Sequence, residues 1–464
     1  MNSDLDESSS INSSIVLDEP LSDLDDDDDI VEPFIDNLIL EDAIDLDEFV
    51  YIKIDEYVMD HLGQMHSNHF HEYLIQDSTL EIFELLLDMD LVVDDETHYQ
   101  ELLEFVKIRT TLYFESISQI SYRQQTVQTN QHQNLLQITE QIAYLRAIPQ
   151  PVQRTKEWYE FRYNLITASN LGKLFSSESQ YNSLICEKCK PLDYASSLGH
   201  CGTESSLHWG TKYEPLTILL YEKIYATKIE DFGCIRHSGY SCIGASPDGI
   251  NIDPQSSRYG RMLEVKNIVN REITGIPLDA YWIQMQIQME TCNLDICDFA
   301  ETRFKEYEEA DFYADTREHR GIILYFVKKT ARIFNNDGKY NTYNVPHYVY
   351  MPLHIELTKE AVERWTAAKK EELKSEYTLY IVQYWYLDQF SCIVVERNRE
   401  WFQLAVGKIE EAWKTVEKER ISGWEHRLPK KKQVQPIVAS NIDTSNKPIK
   451  NLALPSNFCL IKLE

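Results

Sequence analysis

Between Gly244 and Lys266 the chain reads Gly-Ala-Ser-Pro-Asp-Gly, a short loop, then Leu-Glu-Val-Lys, and this stretch restricts the fold most tightly. Ser246-Pro247-Asp248-Gly249 predicts a tight turn, with Pro247 fixing φ and Gly249 free to take a positive φ. Arg261 to Val269 reads as a strand, where residues i and i+2 face the same way. Glu264 and Lys266 therefore project together, while Leu263 and Val265 point into the core. Two carboxylates and an ammonium gathered in this way can hold Mg²⁺ and steady a water beside a phosphodiester. A Glu-x-Lys triplet alone is common as solvated charge on amphipathic strands. The preceding Asp-Gly turn and the flanking helices turn the reading toward a metal site.

The chain has 464 residues, enough for two or three domains, and its 43% hydrophobic content can bury real cores. No apolar run approaches a membrane span, and the first residues, Met-Asn-Ser-Asp-Leu-Asp-Glu, lack the pattern of a signal peptide. Nine cysteines at irregular spacing suit a reducing compartment, so an intracellular protein is expected. The net charge of −31 looks wrong for a nucleic-acid enzyme until it is located. Of 76 acidic residues, 30 fall within the first 100 positions, where Lys53 is the sole basic residue among the chain's 45. The rest is close to neutral and can carry a DNA site.

Residues 1–48 are expected to be a disordered acidic tail, with Asp25 to Asp29 an unbroken run. It reads either as a solubilising tail or as an arm that mimics DNA or docks a basic protein, and Phe34-Ile35 and Leu38 to Leu40 suit docking. Residues 49–147 read as an acidic helical accessory region, with stripes at Ile82, Leu85, Leu86, Met89 and at Leu102, Leu103, Val106, Ile108. His61, His66, His69 and His71 fit no zinc spacing and are expected on exposed helix surface. A Gln-rich run, Gln124 to Gln137, leads into a helix, and Ile-Pro-Gln-Pro at 148–151 marks a domain boundary.

Trp158, Phe161 and Leu165 share a helical face with Arg162 beside it, and Thr167 or Ser169 can cap a second helix through Leu174. Backbone N–H groups at such a start, with an arginine near, make a phosphate seat, although a plain helical hairpin fits equally. Residues 176–206 look like a loop-rich insertion, where Cys186, Cys189, His200, Cys201 and His208 lack a clean paired zinc spacing. Glu214 lies in the first half of a strong helix, pointing either to solvent or to the Asp248 site.

Strands are expected at Lys228 to Arg236, Cys242 to Ala245, Ile296 to Arg303, Gly321 to Lys329, Thr342 to Met351 and around Phe390 to Glu396. A helix from Asp279 to Asn293 carries Trp282, Met285 and Met289 on one face and Tyr281, Gln284 and Gln288 on another. Two further helices, Thr358 to Glu376 and Arg399 to Arg420, precede a polar tail with Pro429 to Lys432. Arg162, Lys173, Arg261 and Arg271 are candidates for the basic channel that DNA affinity requires.

The order of blocks now goes beyond local chemistry. Trp158-x-x-x-Arg162 with Ile-Thr-Ala-Ser169, Trp209-Gly-x-x-x-Glu214, Ser-Pro-Asp248-Gly, Leu-Glu264-Val-Lys266 and Ala-Tyr-x-x-Gln284-x-Gln-x-x-Met resembles the phage lambda exonuclease family. These are the YqaJ-like viral recombinases of the PD-(D/E)XK nuclease superfamily, and the long acidic region and the 176–206 insertion look like the large-DNA-virus type. The resemblance implies an α/β fold, a restriction-endonuclease-like core with a central mixed β-sheet flanked by helices, here bearing the acidic, mainly helical N-terminal extension. It implies a nuclease domain over 148–424, leaving 425–464 as a basic and polar tail.

The resemblance also implies Mg²⁺-dependent 5′ to 3′ resection of linear double-stranded DNA in viral-type recombination, repair or genome maturation, with Mn²⁺ an acceptable substitute. Asp248, Glu264 and the Val265 carbonyl match the metal ligands, with Glu214 assisting directly or indirectly. Lys266 matches the residue that activates water or stabilises the transition state. Gln284 matches the glutamine near the nucleophilic water, with Gln286 close enough in the pattern to leave the choice open. Arg162 and Ser169 match the seat of the 5′-phosphate. Relatives that close into trimeric rings imply a homo-oligomer, and a viral source implies host cytoplasm, viral factory or nucleus. The expected partners are DNA ends and a single-strand annealing or other basic protein held by the acidic region, with no membrane. Two other functions fit: a structure- or site-specific endonuclease on the same core, and a catalytically weak binding module that recruits a partner through its acidic arm.

Overall fold

The computed structural model describes residues 34–35, 38, 40–123, 131–153, 155–192, 206–329, 332–334, 340–342 and 346–428. The acidic run at 25–29, His200, Cys201 and the lysines at 430–432 lie outside the described residues.

Three helices, Leu40–Asp60, Phe70–Asp88 and Glu96–Arg123, pack on one another at the N-terminal side. Val50, Ile54 and Val58 recur every fourth residue and are fully buried, as the helical repeat requires. The inner line of the third helix runs through Leu102, Val106 and Thr110. Ile108, placed by sequence in that stripe, falls on the opposite side and is 51% exposed. Met89 is also exposed because the second helix stops at Asp88. Phe34 and Ile35 donate their amides to the Glu101 carboxylate at 2.8 and 2.9 Å, tying the end of the acidic stretch to the third helix.

The part of the chain that follows is mixed α/β. A seven-stranded sheet has the order β11-β8-β12-β7-β6-β5-β2, built from β2 (Ile229–Glu230), β5 (Gly249–Asn251), β6 (Met262–Asn267), β7 (Ile296–Tyr307), β8 (Arg320–Lys328), β11 (Pro346–Tyr350) and β12 (Tyr377–Glu396). Among the described strands of this sheet only β6 and β7 pair in parallel, and the helix Asp279–Cys292 is the crossover between them. A smaller sheet orders β1 (Ile166–Thr167), β4 (Ile243–Ala245) and β3 (Ile235–Arg236), with β1 parallel to β4. The chain passes from this sheet into the large one through Ser246-Pro247-Asp248. Strand β12 is far longer than expected and pairs with both β7 and β8, absorbing two register shifts on the way. The short hairpin of β9 (Arg332–Phe334) and β10 (Tyr340–Thr342) completes the strands.

Leu263 and Val265 of β6 pack with Tyr221 of the helix Ser206–Ile224 on one face of the large sheet. Glu264 and Lys266 face the helix Asp279–Cys292 on the other, as the two-residue repeat predicts. The helix Arg399–Ser422 lies against that crossover helix and against the N-terminal helix Glu96–Arg123. Trp401, fully buried, meets Trp282 edge-on at 5.3 Å and donates Nε1 to the Leu62 carbonyl at 2.9 Å. His66 is not on open helix surface: its ring stacks on Trp282 at 5.2 Å. The helix Gln131–Ala147 also reaches the core, with Gln141 Nε2 donating to the Cys292 carbonyl at 2.7 Å. No helix among the described residues is long and apolar enough to cross a membrane.

Candidate active site

The crossover helix Asp279–Cys292 is buried almost all round, so its glutamines must find partners inside the protein. Gln284 Nε2 donates to Glu264 Oε1 at 2.7 Å, and Gln288 Nε2 donates to Glu264 Oε2 at 2.7 Å. The Lys266 ammonium also bonds Glu264 Oε1 and lies 3.4 Å from Gln284 Oε1. Gln286, the alternative in the motif, points elsewhere: it donates to the Glu396 carbonyl at 2.9 Å and accepts from the Asn398 amide at 2.6 Å. Of the two glutamines, the structure brings Gln284 to the carboxylate.

Asp248 reaches the same place from the turn between β4 and β5. Its amide donates to the Leu263 carbonyl at 3.1 Å, and its Oδ2 accepts from the Val265 amide at 2.7 Å. Strand β5 pairs only as far as Gly249 with Leu263, so the turn caps the edge of β6 just where Val265 would otherwise lack a partner. Gly249 does not take the positive φ expected of it. Its constraint is contact: a Cβ there would lie 2.1 Å from Ile229 Cγ2 on the neighbouring strand β2.

Burial raises the Asp248 pKa well above the usual carboxylate range, and the charges of Glu264 and Glu214 add to it. Lys266 and the Val265 N–H act in the opposite direction without cancelling the rise. Burial works to lower the Lys266 pKa, but Glu264 and Asp248 outweigh it and hold the ammonium charged above its ordinary value. Glu214 is exposed, yet close enough for its charge to bear on both Asp248 and Tyr350. Its helix is held by Thr217, whose Oγ1 donates to Asn267 Oδ1 at 2.8 Å, and by Tyr213 stacked on Phe304 at 4.7 Å.

The residues present fit a hard divalent cation. Among the described residues no group of three His, Cys, Asp or Glu side chains is arranged to hold a metal unaided. Magnesium does not need one, because it is commonly held by one or two carboxylates with water and substrate phosphate completing the shell. Asp248 and Glu264 would supply the carboxylates, and such a cation would relieve the negative charge that adds to burial in raising the Asp248 pKa.

Arg162 reaches toward this centre through Ser246, and Ser169 follows the neighbouring strand β1. Thr167 of β1 pairs with Gly244 of β4, so Ser169 and Ser246 follow the same end of two parallel strands. Arg162 Nη1 donates to Ser246 Oγ at 3.4 Å, and its guanidinium lies 4.7 Å from the Trp158 ring. It makes no ion pair with a carboxylate among the described residues, and Nη1 also lies 3.8 Å from Cys234 Sγ. The second helix here is only Ala168–Leu171 and carries no side-chain cap, unlike the capped helix expected through Leu174. Ser169 Oγ instead lies 3.3 Å from Thr167 Oγ1.

The basic-channel candidates are largely committed elsewhere. Arg261 pairs with Asp298 at 3.2 Å, Arg271 with Glu301, and Lys173 with Glu187 at 2.8 Å. Sequence shows the cations but not the carboxylates that the fold brings to them. Residues 178–189 form a helix within the stretch expected to be loop-rich, and Cys189 Sγ faces the Val416 carbonyl at 3.6 Å. Gln288 and Tyr281, read from sequence as part of the polar face of the crossover helix, both reach the centre, the Tyr281 ring lying 4.8 Å from Lys266 Nζ, whereas Ser246 is a site residue that sequence reasoning did not assign. The four-residue spacing of Gln284 and Gln288 is what puts both amides on one face of the helix.

Residues 157–295, which hold every element of this centre, match the family model of the YqaJ-like viral recombinase domain. The chain carries a YqaJ-like viral recombinase domain. An uncharacterized protein, R354, of Acanthamoeba polyphaga mimivirus is 27% identical over 304 residues, or 59% of this chain and 54% of that one. The match thus spans about half the length of this curated relative. Among solved structures, the alkaline exonuclease LHK-Exo of Laribacter hongkongensis is 17% identical, with 59% of this chain and 95% of that chain covered and a TM-score of 0.31. The same enzyme in complex with dAMP gives 18% identity and a TM-score of 0.29 over the same shares. The YqaJ-like domain of this chain begins at the helix of Trp158 and Arg162 and ends just past the crossover helix.

Proposed function

We propose that this chain is a divalent-cation-dependent deoxyribonuclease that resects linear double-stranded DNA from its 5′ ends, with Mg²⁺ as the working ion and Mn²⁺ able to replace it. The observation that carries the reading is the convergence of Asp248, Glu264, Lys266 and Gln284, with Arg162 bonded to Ser246 beside them and without a carboxylate partner among the described residues.

Asp248, Glu264 and the Val265 carbonyl would hold the cation, with Glu214 adding its charge. When bound, the cation lowers the pKa of water and neutralises charge on the scissile phosphate. Lys266, held charged by its carboxylate neighbours, donates hydrogen bonds to the attacking water and to the phosphate oxygens. Gln284 orients Glu264 and the water beside it. Arg162 receives the 5′-terminal phosphate, with Ser169 a further donor, so the end of the strand is held while the bond is hydrolysed. Viral-type recombination, repair or genome maturation is the setting. A basic annealing protein bound through residues 1–48 and a homo-oligomer around DNA belong to the same proposal.

Replacing Lys266 by Ala, or Glu264 by Gln, is expected to cut Mg²⁺-dependent nucleotide release by at least about 100-fold with the fold retained. Full activity in either folded variant would contradict the reading.

A further inference from the structure

Gln288 is completely buried and lies one turn beyond Gln284 on the crossover helix. Its Nε2 makes two bonds, to Glu264 Oε2 at 2.7 Å and to the Ser246 carbonyl at 3.2 Å. These acceptors belong to different parts of the fold. Glu264 stands on β6 of the large sheet, whereas Ser246 follows β4 of the small one. Ser246 in turn accepts from Arg162 through its hydroxyl. One amide therefore spans the gap between the cleavage carboxylate and the arginine end of the site.

The same amide leaves its Oε1 buried with no hydrogen-bond donor. An apolar side chain of equal length would fill this volume without leaving that acceptor unsatisfied, so packing alone does not account for a glutamine. What an amide adds is a donor reaching two acceptors, together with an acceptor available to a water when the site is filled.

We propose that Gln288 is a positioning residue that fixes the separation of Glu264 from the Ser246–Arg162 end, and thereby selects which phosphodiester, counted from the bound terminus, is cut. This rests on the nuclease reading above. A carboxylate anchored on one sheet and an arginine anchored on the other keep a constant spacing only if something joins the two. Gln288 bonds directly to Glu264 and to the carbonyl of Ser246, the residue whose hydroxyl accepts from Arg162, and so adds a side-chain link to the one that Asp248 makes with β6.

The test is the length of the first product released from linear duplex labelled at its 5′-phosphate, in Mg²⁺, for wild type, Gln288→Met and Gln288→Asn. Wild type is expected to release a product of one length. Gln288→Met, which keeps volume but loses both bonds, should give mixed lengths and a kcat lowered at least about 10-fold, with KM for phosphorylated ends within about 3-fold. Gln288→Asn, whose shorter arm reaches one acceptor at most, should give the same mixture with a smaller structural disturbance and keeps the test open if Gln288→Met does not fold. Hydrogen exchange should quicken at residues 246–248 in both variants and stay unchanged along β6. A folded variant with a single product length, wild-type kcat and unchanged exchange at 246–248 would overturn the positioning role while leaving the nuclease standing. A wild type that releases no nucleotide would instead remove the nuclease reading itself, and this role with it.

Discussion

A Cβ placed on Gly172 would lie 2.8 Å from Cβ and 2.9 Å from Cα of Ala280. The chain just past Ser169 and the start of the crossover helix thus meet with no space for a methyl group. Because the crowding atoms include backbone, the helices must move apart to relieve it. Gly172→Ala is expected to cost about 1–3 kcal/mol of stability. It should also lower nuclease activity, because the displaced helix carries Gln284 and Gln288. Urea denaturation and single-turnover cleavage of the same preparation check both parts.

Trp401 joins three bodies: the C-terminal helix, Trp282 on the crossover helix, and the Leu62 carbonyl in the N-terminal region. Trp401→Ala is expected to destabilise by about 3–5 kcal/mol. It should also loosen the N-terminal helices first, because the bond to Leu62 goes with the indole. Limited proteolysis should then cut within residues 40–123 before the mixed α/β part is attacked.

Burial lowers the Lys188 pKa from 10.5 to about 8, with the nearby charges of Arg162, Lys173 and Arg420 adding to it against Glu187. Its Nζ donates to the Arg162 carbonyl at 3.2 Å. The folded state releases this proton near pH 8 and the unfolded state near 10.5, so between them the unfolded chain binds more protons. Lys188 therefore makes stability rise with pH across that window, by on the order of 3 kcal/mol if it acted alone. Denaturant midpoints at pH 8 and pH 10 should shift upward in wild type relative to Lys188→Met. Identical pH dependence in the two would contradict this.

The metal-free fold disfavours a charge on Asp248, since burial, Glu264 and Glu214 all oppose its ionisation. Asp248→Asn is therefore expected to melt higher than wild type without metal at neutral pH. Adding Mg²⁺ to about 100 times its dissociation constant should stabilise wild type by about 2.7 kcal/mol and leave the variant unmoved. Thermal melts with and without Mg²⁺ read this independently of activity.

What sequence makes legible here is local. Glu264 and Lys266 share a face because a strand repeats every two residues, and Asp248 arrives through a turn its neighbours announce. The helix of Tyr281, Gln284 and Gln288 follows from spacing in the same way. What stays hidden depends on contacts between distant segments. Gly249 is required by Ile229 across the strand pair, not by its own φ. Arg261 and Arg271 look available for DNA until β7 brings buried Asp298 and Glu301 to them. His66 reads as surface because nothing near it in sequence announces Trp282. Gln286 and Gln284 are equivalent in the motif, and only the fold turns one toward Glu264 and the other toward Glu396.

The most direct measurement uses linear duplex DNA with a 5′-phosphate on one end and a 5′-hydroxyl on the other, in Mg²⁺, beside a covalently closed circle, with Lys266→Ala protein in parallel. The account predicts progressive loss from the phosphorylated end, an intact circle, and no cleavage by the variant. Cutting of the circle that depends on Lys266 would contradict end recognition by Arg162 and mark an endonuclease. Absence of any Lys266-dependent cutting would contradict the nuclease assignment altogether.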